Sequence, residues 1–244
     1  MAFLPKLRIS MAGIAADFLG GSARDAREPD IAASADEFKL RPPLHGTLVL
    51  GGRLPPIPWI SLGWHQGTLR QIILNAKFYG DMEPWRSLAA PLVSAIELGW
   101  GSDMGRGREA THAVVPVPAA WSRRFTRGVD HVALLSLLIA GRLCLPNLHP
   151  LRRTGTGHSI GLSGEARRRR DCQFRPRMAP REALNGRRVV LVDDVQTTGA
   201  TIRTCAIELL RIGAPQVLAV TASVTPCPVG DSVPSAGVWR VETG

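Results

Sequence analysis

The stretch Val189-Val-Leu-Val-Asp-Asp-Val-Gln-Thr-Thr-Gly-Ala-Thr201 decides the fold of this 244-residue chain. Its four apolar residues followed by two acids predict a buried strand that ends at Val192. Apolar residues then recur at helical spacing over 201–212, and Gly213 is placed to close that helix. The stretch therefore predicts a strand, a short loop that contains hydroxyls and a glycine, and a helix.

Strands and helices alternate on both sides of this unit. Short apolar runs predict strands at 113–117 and 217–220, and the periodicity between them predicts a helix at 132–143. Two earlier helices are predicted, one after Gly67 and one over about 84–97. Apolar strands separated by helices are typical of an α/β fold, in which helices flank both faces of a parallel sheet.

The composition changes on either side of this core. We expect residues 1–59 to form an N-terminal extension, weakly ordered over 20–47, and residues 60–225 to form the main domain. Residues 226–244 are rich in Pro and Gly and are expected to be a peripheral tail. Residues 152–163 contain three glycines without periodicity and predict a mobile loop.

The residues at the end of the predicted strand also indicate a chemistry. Ligands of open α/β sheets bind beyond the carboxyl ends of the strands, so Asp193 and Asp194 should emerge at that edge. The N–H groups at the start of the next helix suit a phosphate, and Gly199 allows close approach. Carboxylates beside a phosphate suggest a phosphorylated sugar, whose hydroxyls they would bind directly or through Mg²⁺. The alternative is a solvated turn with a helix cap, but the joined pattern favours the phosphosugar.

The distribution of charge also points to an anionic partner. The chain has 30 Lys and Arg against 20 Asp and Glu, and only three of these cations are lysines. Residues 123–188 alone contain 15 Arg and four acids, and guanidinium groups bind phosphate oxygens in a bidentate manner. The run of Arg167, Arg168, Arg169 and Arg170 keeps binding of single-stranded DNA open. A solvated basic helix is the alternative, and the scarcity of aromatic residues in this segment gives little support for base stacking.

Several classes of protein are disfavoured by the sequence. Its apolar runs are shorter than the roughly 18–20 residues of a membrane-spanning helix, so we expect no membrane insertion. The N-terminus makes a poor signal peptide, which favours a cytoplasmic protein. The four cysteines lie far apart without a CxxC pair, which argues against a zinc ribbon and a disulfide framework.

Segment 189–201 resembles the phosphoribosyl-pyrophosphate (PRPP) motif of type I phosphoribosyltransferases. Two further stretches resemble the ComF/GntX-like branch of that superfamily. One is His65-Gln-Gly-Thr-Leu-Arg-Gln-Ile-Ile-Leu-Asn-Ala-Lys-Phe-Tyr-Gly80. The other is Val115-Pro-Val-Pro118 followed by Arg127-Gly-Val-Asp-His131. The resemblance covers residues 60–223 and implies a type I phosphoribosyltransferase-like fold.

The resemblance also implies roles for individual residues. Asp193 and Asp194 would hold the ribose hydroxyls directly or through Mg²⁺, and residues 152–163 would be the flexible lid. The residues expected around the 5′-phosphate are Thr197, Thr198, Gly199, Ala200 and Thr201. The residues expected near the pyrophosphate are Arg123, Arg124 and Arg127.

The reaction implied is displacement of pyrophosphate from ribose C1 by a nitrogenous acceptor. The alternative is a non-catalytic protein of competence or DNA uptake that binds PRPP or single-stranded DNA. The sequence departs from the branch at Asp130-His131, where Asn-Gln is usual, and in having no cysteine before Cys144, where a zinc ribbon is common. These departures leave the contacts to the acceptor open, and the oligomeric state, a homodimer included, is open as well.

Overall fold

The computed structural model describes residues 43–78, 82–101, 104–105, 110–119, 130–154, 173–177, 184, 186–225 and 239–242. Eight strands and four helices lie within these residues. The strands are β1 (Leu44–Leu48), β2 (Ile57–Ser61), β3 (His112–Pro116), β4 (Leu151–Thr154), β5 (Gln173–Pro176), β6 (Arg188–Gln196), β7 (Val217–Val224) and β8 (Trp239–Glu242). The helices are α1 (Gly67–Phe78), α2 (Glu83–Trp100), α3 (His131–Leu143) and α4 (Ala200–Arg211).

Six strands form one sheet in the order β3-β6-β7-β2-β1-β8, and β4 and β5 form a separate antiparallel pair. The four strands from β3 to β2 are parallel, with β6 hydrogen-bonded between β3 and β7. Strands β1 and β8 extend the sheet in an antiparallel direction. The predicted α/β fold with a parallel sheet flanked by helices is confirmed, with an antiparallel edge that the sequence did not indicate.

The helices cover both faces of the sheet and form two apolar clusters. One cluster joins α1, α2 and α3 to one face through side chains such as Ile73, Leu92 and Leu135, all of which are fully buried. The other joins α4, β4 and β5 to the opposite face and includes Leu151 and Leu209. Strands β6 and β7 contribute to both clusters, which explains why their sequences are continuously apolar rather than alternating.

This arrangement places a crevice between β3 and β6. Strand β3 is followed by α3 on one face of the sheet, whereas β6 is followed by α4 on the other face. Where the helices after neighbouring parallel strands diverge in this way, a gap opens beyond the carboxyl ends of the strands. Strand β3 ends at Pro116, opposite Val192, so the remainder of β6 borders this gap.

The predicted end of the central strand at Val192 is wrong, because β6 continues to Gln196. Asp193, Val195 and Gln196 pair with Thr221, Ser223 and Val224 of β7. The prediction relied on the polarity of the side chains, whereas backbone hydrogen bonds to β7 continue the strand. Acidic side chains are compatible with the strand at this point because the neighbouring strand β3 has already ended. The two aspartates are thus held by a strand on one side and face the crevice on the other.

Segments that the sequence placed outside the main domain contribute strands to one edge of the sheet. Part of the segment expected to be weakly ordered, residues 44–47, lies in β1, and Leu48 is fully buried. The domain boundary expected after residue 59 falls inside β2, and residues 239–242 of the expected tail pair with β1. Among the described helices, none is both long enough and apolar enough to cross a membrane.

Candidate functional site

A cavity of about 310 Å³ opens beyond the carboxyl ends of β3 and β6. It lies at the crevice where α3 and α4 diverge, and the end of α1 and strand β4 also contribute to its wall. The lining residues are Lys77, Val117, Pro118, Ala119, Asp130, His131, Val132, Arg153, Asp193, Asp194, Val195, Thr197 and Thr201. The described charged groups of this wall are therefore three carboxylates, one ammonium and one guanidinium.

The loop between β6 and α4 turns tightly at Gly199. This residue has a φ of 72°, in the left-handed region, and it is the N-cap of α4. No cap side chain bonds to the first turn of the helix, although the amide of Ala200 donates a 3.4 Å hydrogen bond to Thr198 Oγ1. The remaining N–H groups of the first turn and the positive end of α4 suit an anion beside Thr201.

Asp193 and Asp194 are partly buried at the end of β6 and line the cavity. The Asp193 carboxylate accepts a 2.9 Å hydrogen bond from the amide of Asp194, whose own carboxylate accepts one of 2.6 Å from Val195 N. Asp194 Oδ2 also lies 2.7 Å from Lys77 Nζ. Two adjacent carboxylates repel each other, and the lysine offsets that repulsion.

Packing beneath the cavity holds Lys77 in place. The carbonyl of the preceding residue, Ala76, accepts a 3.3 Å hydrogen bond from Trp85 Nε1, which ties the last turn of α1 to α2. Trp85 is fully buried, and its ring stacks on His131 at a centroid distance of 5.5 Å. Trp85 therefore contacts His131 of the cavity wall directly, and it contacts the end of α1 through the Ala76 carbonyl, next to Lys77.

Comparison with known proteins places the chain in a family. No family model matches it. Competence protein F of Haemophilus influenzae is 29% identical over 166 residues, which are 65% of this chain and 69% of that protein. DNA utilization protein YhgH of Salmonella typhimurium is 30% identical over 185 residues, 72% of this chain and 78% of that protein. The chain belongs to the ComF-like family.

Among solved structures, hypoxanthine phosphoribosyl transferase of Trypanosoma cruzi matches with a TM-score of 0.40 at 17% identity, covering 63% of the ComF-like chain and 71% of the transferase. The ComF-like relatives confirm the predicted family, and the strand order confirms the predicted α/β fold with a mostly parallel sheet.

The structure brings together some of the residues predicted from the ComF-like motifs. Asp193, Asp194, Thr197 and Thr201 line one cavity, and the other three residues of the predicted phosphate loop lie between them on the chain. The arginines predicted for pyrophosphate, Arg123, Arg124 and Arg127, lie outside the described residues. The described residues also do not include the arginine run 167–170 or residues 155–163 of the predicted lid. The first three residues of that lid belong to β4.

Three charged residues of the cavity wall were not among the binding residues predicted from the sequence. Asp130 is the N-cap of α3 and accepts a 3.1 Å hydrogen bond from Ala133 N, and Arg153 is the third residue of β4. The third is Lys77, the only lysine after residue 39 of a chain rich in arginine. Two signals could have drawn attention to Lys77: it is a lone lysine in an arginine-rich chain, and it lies in the stretch 65–80 that resembles the ComF/GntX-like branch.

The fit of Mg²⁺ to this wall depends on the chemistry of its donors. Mg²⁺ takes carboxylate oxygens together with phosphate oxygens and waters, so one or two carboxylates suffice. Asp193 and Asp194 supply oxygens of that type beside the predicted phosphate loop. Among the described residues, no cluster of three or more His, Cys, Asp or Glu side chains forms a separate metal site. The two aspartates fit Mg²⁺ bound together with a phosphorylated ligand.

The folded chain should lose stability as the pH falls below about 6.5. Burial, followed by the charge of Lys77, lowers the pKa of His65 below its ordinary value of 6.5, and burial followed by Arg188 does the same for His112. A lowered pKa means that the unfolded chain binds protons first, so this stability is present above the unfolded pKa and lost below it. Denaturant unfolding between pH 5 and 8 should show this loss, and it should be smaller in His65→Gln/His112→Gln. Equal pH dependence in the two proteins would contradict it.

Proposed function

We propose that this ComF-like protein binds PRPP and transfers its phosphoribosyl group to a nitrogenous acceptor, with release of pyrophosphate. The observation that carries the proposal is the convergence of the Asp193–Asp194 pair and the start of α4 on one cavity. The carboxylates suit the ribose hydroxyls, and the uncapped start of α4 suits the 5′-phosphate. The cavity volume of about 310 Å³ is at the lower end of the range of roughly 300–1,000 Å³ for small-molecule sites.

The groups of the cavity would act by position and charge. Displacement at ribose C1 breaks the bond to pyrophosphate, which leaves with the bonding electron pair, and forms a C–N bond to the acceptor. The sugar ring gains positive charge on the way, which the adjacent carboxylates stabilise. Mg²⁺, held by Asp193 and Asp194, would neutralise charge on the leaving pyrophosphate. Pyrophosphate would lie along residues 117–119 of the cavity wall, which precede Arg123, Arg124 and Arg127 in the sequence.

Isothermal titration of PRPP into the protein with Mg²⁺ tests the binding step. We expect saturable binding with one PRPP per chain, and the absence of measurable binding would refute the proposal. Release of pyrophosphate in the presence of a panel of purine and pyrimidine bases then tests transfer. Binding without release for any base would favour a PRPP-binding accessory protein.

A second candidate function is binding of single-stranded DNA. It is supported by the names of two relatives, a competence protein and a DNA utilization protein, and by four consecutive arginines at 167–170. Such a run can bind phosphates without sequence preference. This candidate does not exclude the first, because the four arginines lie outside the PRPP motif.

Replacing these four arginines by glutamine should weaken binding of an oligothymidine. The slope of log affinity against log salt should become shallower by up to about 3, at roughly 0.7 for each phosphate that is no longer neutralised. The matched control replaces four exposed arginines of the helices, Arg70, Arg86, Arg142 and Arg211, and so changes the net charge equally. An equal weakening in both variants would show that only net charge matters and would count against a specific DNA site.

A further inference from the structure

Lys77 forms an ion pair with Asp194, which is one of the two carboxylates that a metal ion would use. Lys77 Nζ lies 2.7 Å from Asp194 Oδ2, and the two side chains are only 15% and 17% exposed. Both line the cavity wall. A pair at this distance and with this little exposure is screened less than a surface ion pair.

The position of Lys77 is set by the fold. Ile73 and Ala76, its neighbours on α1, are fully buried against the sheet. The hydrogen bond from Trp85 to the Ala76 carbonyl holds the last helical turn. The backbone of Lys77 is therefore held by a rigid element, so only its side chain has to be ordered to keep the ammonium beside Asp194.

We propose that Lys77 is a built-in counter-ion that keeps Asp194 from binding a divalent cation until a phosphorylated ligand is present. A cation in the unliganded cavity would have to displace the ammonium or lie beside it, and both lower its affinity. PRPP brings oxygens of its own, so the ion no longer depends on both carboxylates. The inference rests on the proposed function in one respect only, that this cavity takes a divalent cation.

Mn²⁺ without PRPP is the probe, and its binding is followed by electron paramagnetic resonance. We expect weak binding by the unmodified protein and an affinity at least about tenfold higher in Lys77→Met, because the like charge is removed and Asp194 becomes a ligand. Lys77→Gln should show the same gain, whereas Lys77→Arg, which keeps the charge, should not. Equal Mn²⁺ affinity in Lys77→Met, Lys77→Gln and the unmodified protein would overturn the inference.

Two further variants separate a local effect from one of net charge. Arg70→Met removes an exposed positive charge from the same helix and should leave the affinity for Mn²⁺ unchanged. Lys77→Met/Asp194→Asn should not show the higher affinity for Mn²⁺ of Lys77→Met, because the carboxylate that Lys77→Met makes available is absent. A gain in Arg70→Met, or a gain that survives in the double variant, would contradict the assignment.

The outcome is independent of PRPP binding. A protein that binds no PRPP but gains affinity for Mn²⁺ in Lys77→Met would refute the proposed function and support the counter-ion. A protein that binds PRPP but shows no such gain would support the PRPP-binding step of the proposed function and refute the counter-ion role of Lys77. Circular dichroism and thermal unfolding of each variant establish that the fold is retained, and Lys77→Gln provides the second neutral variant if Lys77→Met does not fold.

Discussion

Replacing Asp193 and Asp194 together by asparagine should lower the affinity for PRPP at least about 100-fold, because each hydrogen bond to a charged group contributes roughly 1.5–3 kcal/mol. Asparagine keeps the shape of aspartate, so the loss reports on the carboxylate charges. Both residues line the cavity at the end of β6, beside the loop that leads into α4. Titration calorimetry with Mg²⁺ measures the change.

The control for this experiment removes two carboxylates elsewhere. Glu83→Gln/Glu208→Gln changes the net charge by the same amount at two surface ion pairs, those with Arg86 and Arg211. Its affinity for PRPP should remain within about threefold of the unmodified value, since exposed pairs contribute at most about 1 kcal/mol. If the aspartate variant folds and binds PRPP equally well, the site has been assigned to the wrong residues.

The aspartate variant also leaves the ammonium of Lys77 without the carboxylate that it contacts. A charge that is mostly buried and has lost its partner destabilises a fold, so unfolding must be measured beside binding. Adding Lys77→Met to the aspartate variant should recover stability without recovering the affinity for PRPP. Recovery of both would show that the loss of binding was a consequence of unfolding.

Gly199→Val should both destabilise the fold and weaken binding of PRPP. The backbone of Gly199 has a φ of 72°, and a Cβ built there would lie 3.2 Å from Leu48 Cδ1. A β-branched residue in this region costs about 1–3 kcal/mol in the free energy of unfolding, and the contact with Leu48 adds to it. Because Gly199 directs the first N–H groups of α4, the affinity for PRPP should fall at least tenfold, or roughly 1.4 kcal/mol.

Gly186→Val is the matched control for the backbone effect. Gly186 also has a φ of 72°, but no described atom lies within 4 Å of a Cβ built on it, and it lies outside the predicted phosphate loop. Chemical denaturation should show a loss of stability in both variants, larger for Gly199→Val. Calorimetry should show a loss of PRPP affinity for Gly199→Val alone. Equal PRPP affinities in the two variants would show that the loop at Gly199 does not bind the phosphate.

Only the part of the site that consists of consecutive residues was predictable from the sequence. The strand, the acids, Gly199 and the following helix lie within one short stretch, and each is indicated by apolar periodicity or by glycine. The end of β6 was not predictable in this way. Asp193 and Gln196 remain in the strand because β7 offers them backbone partners, and that pairing is not visible in the residues of β6 themselves.

The sequence by itself determined the family, the α/β class and the residues that resemble a PRPP motif. These properties depend on local patterns, since apolar repeats and turn residues act over a few neighbouring positions. Only the tertiary structure decided that Lys77, Asp130 and Arg153 share a cavity with Asp194. That cavity joins α1, α3, β4 and β6, and its wall depends on how each helix packs on the sheet. The sequence shows which faces of a helix are apolar. It does not show which residues a charged side chain at the border of such a face will contact in the folded chain.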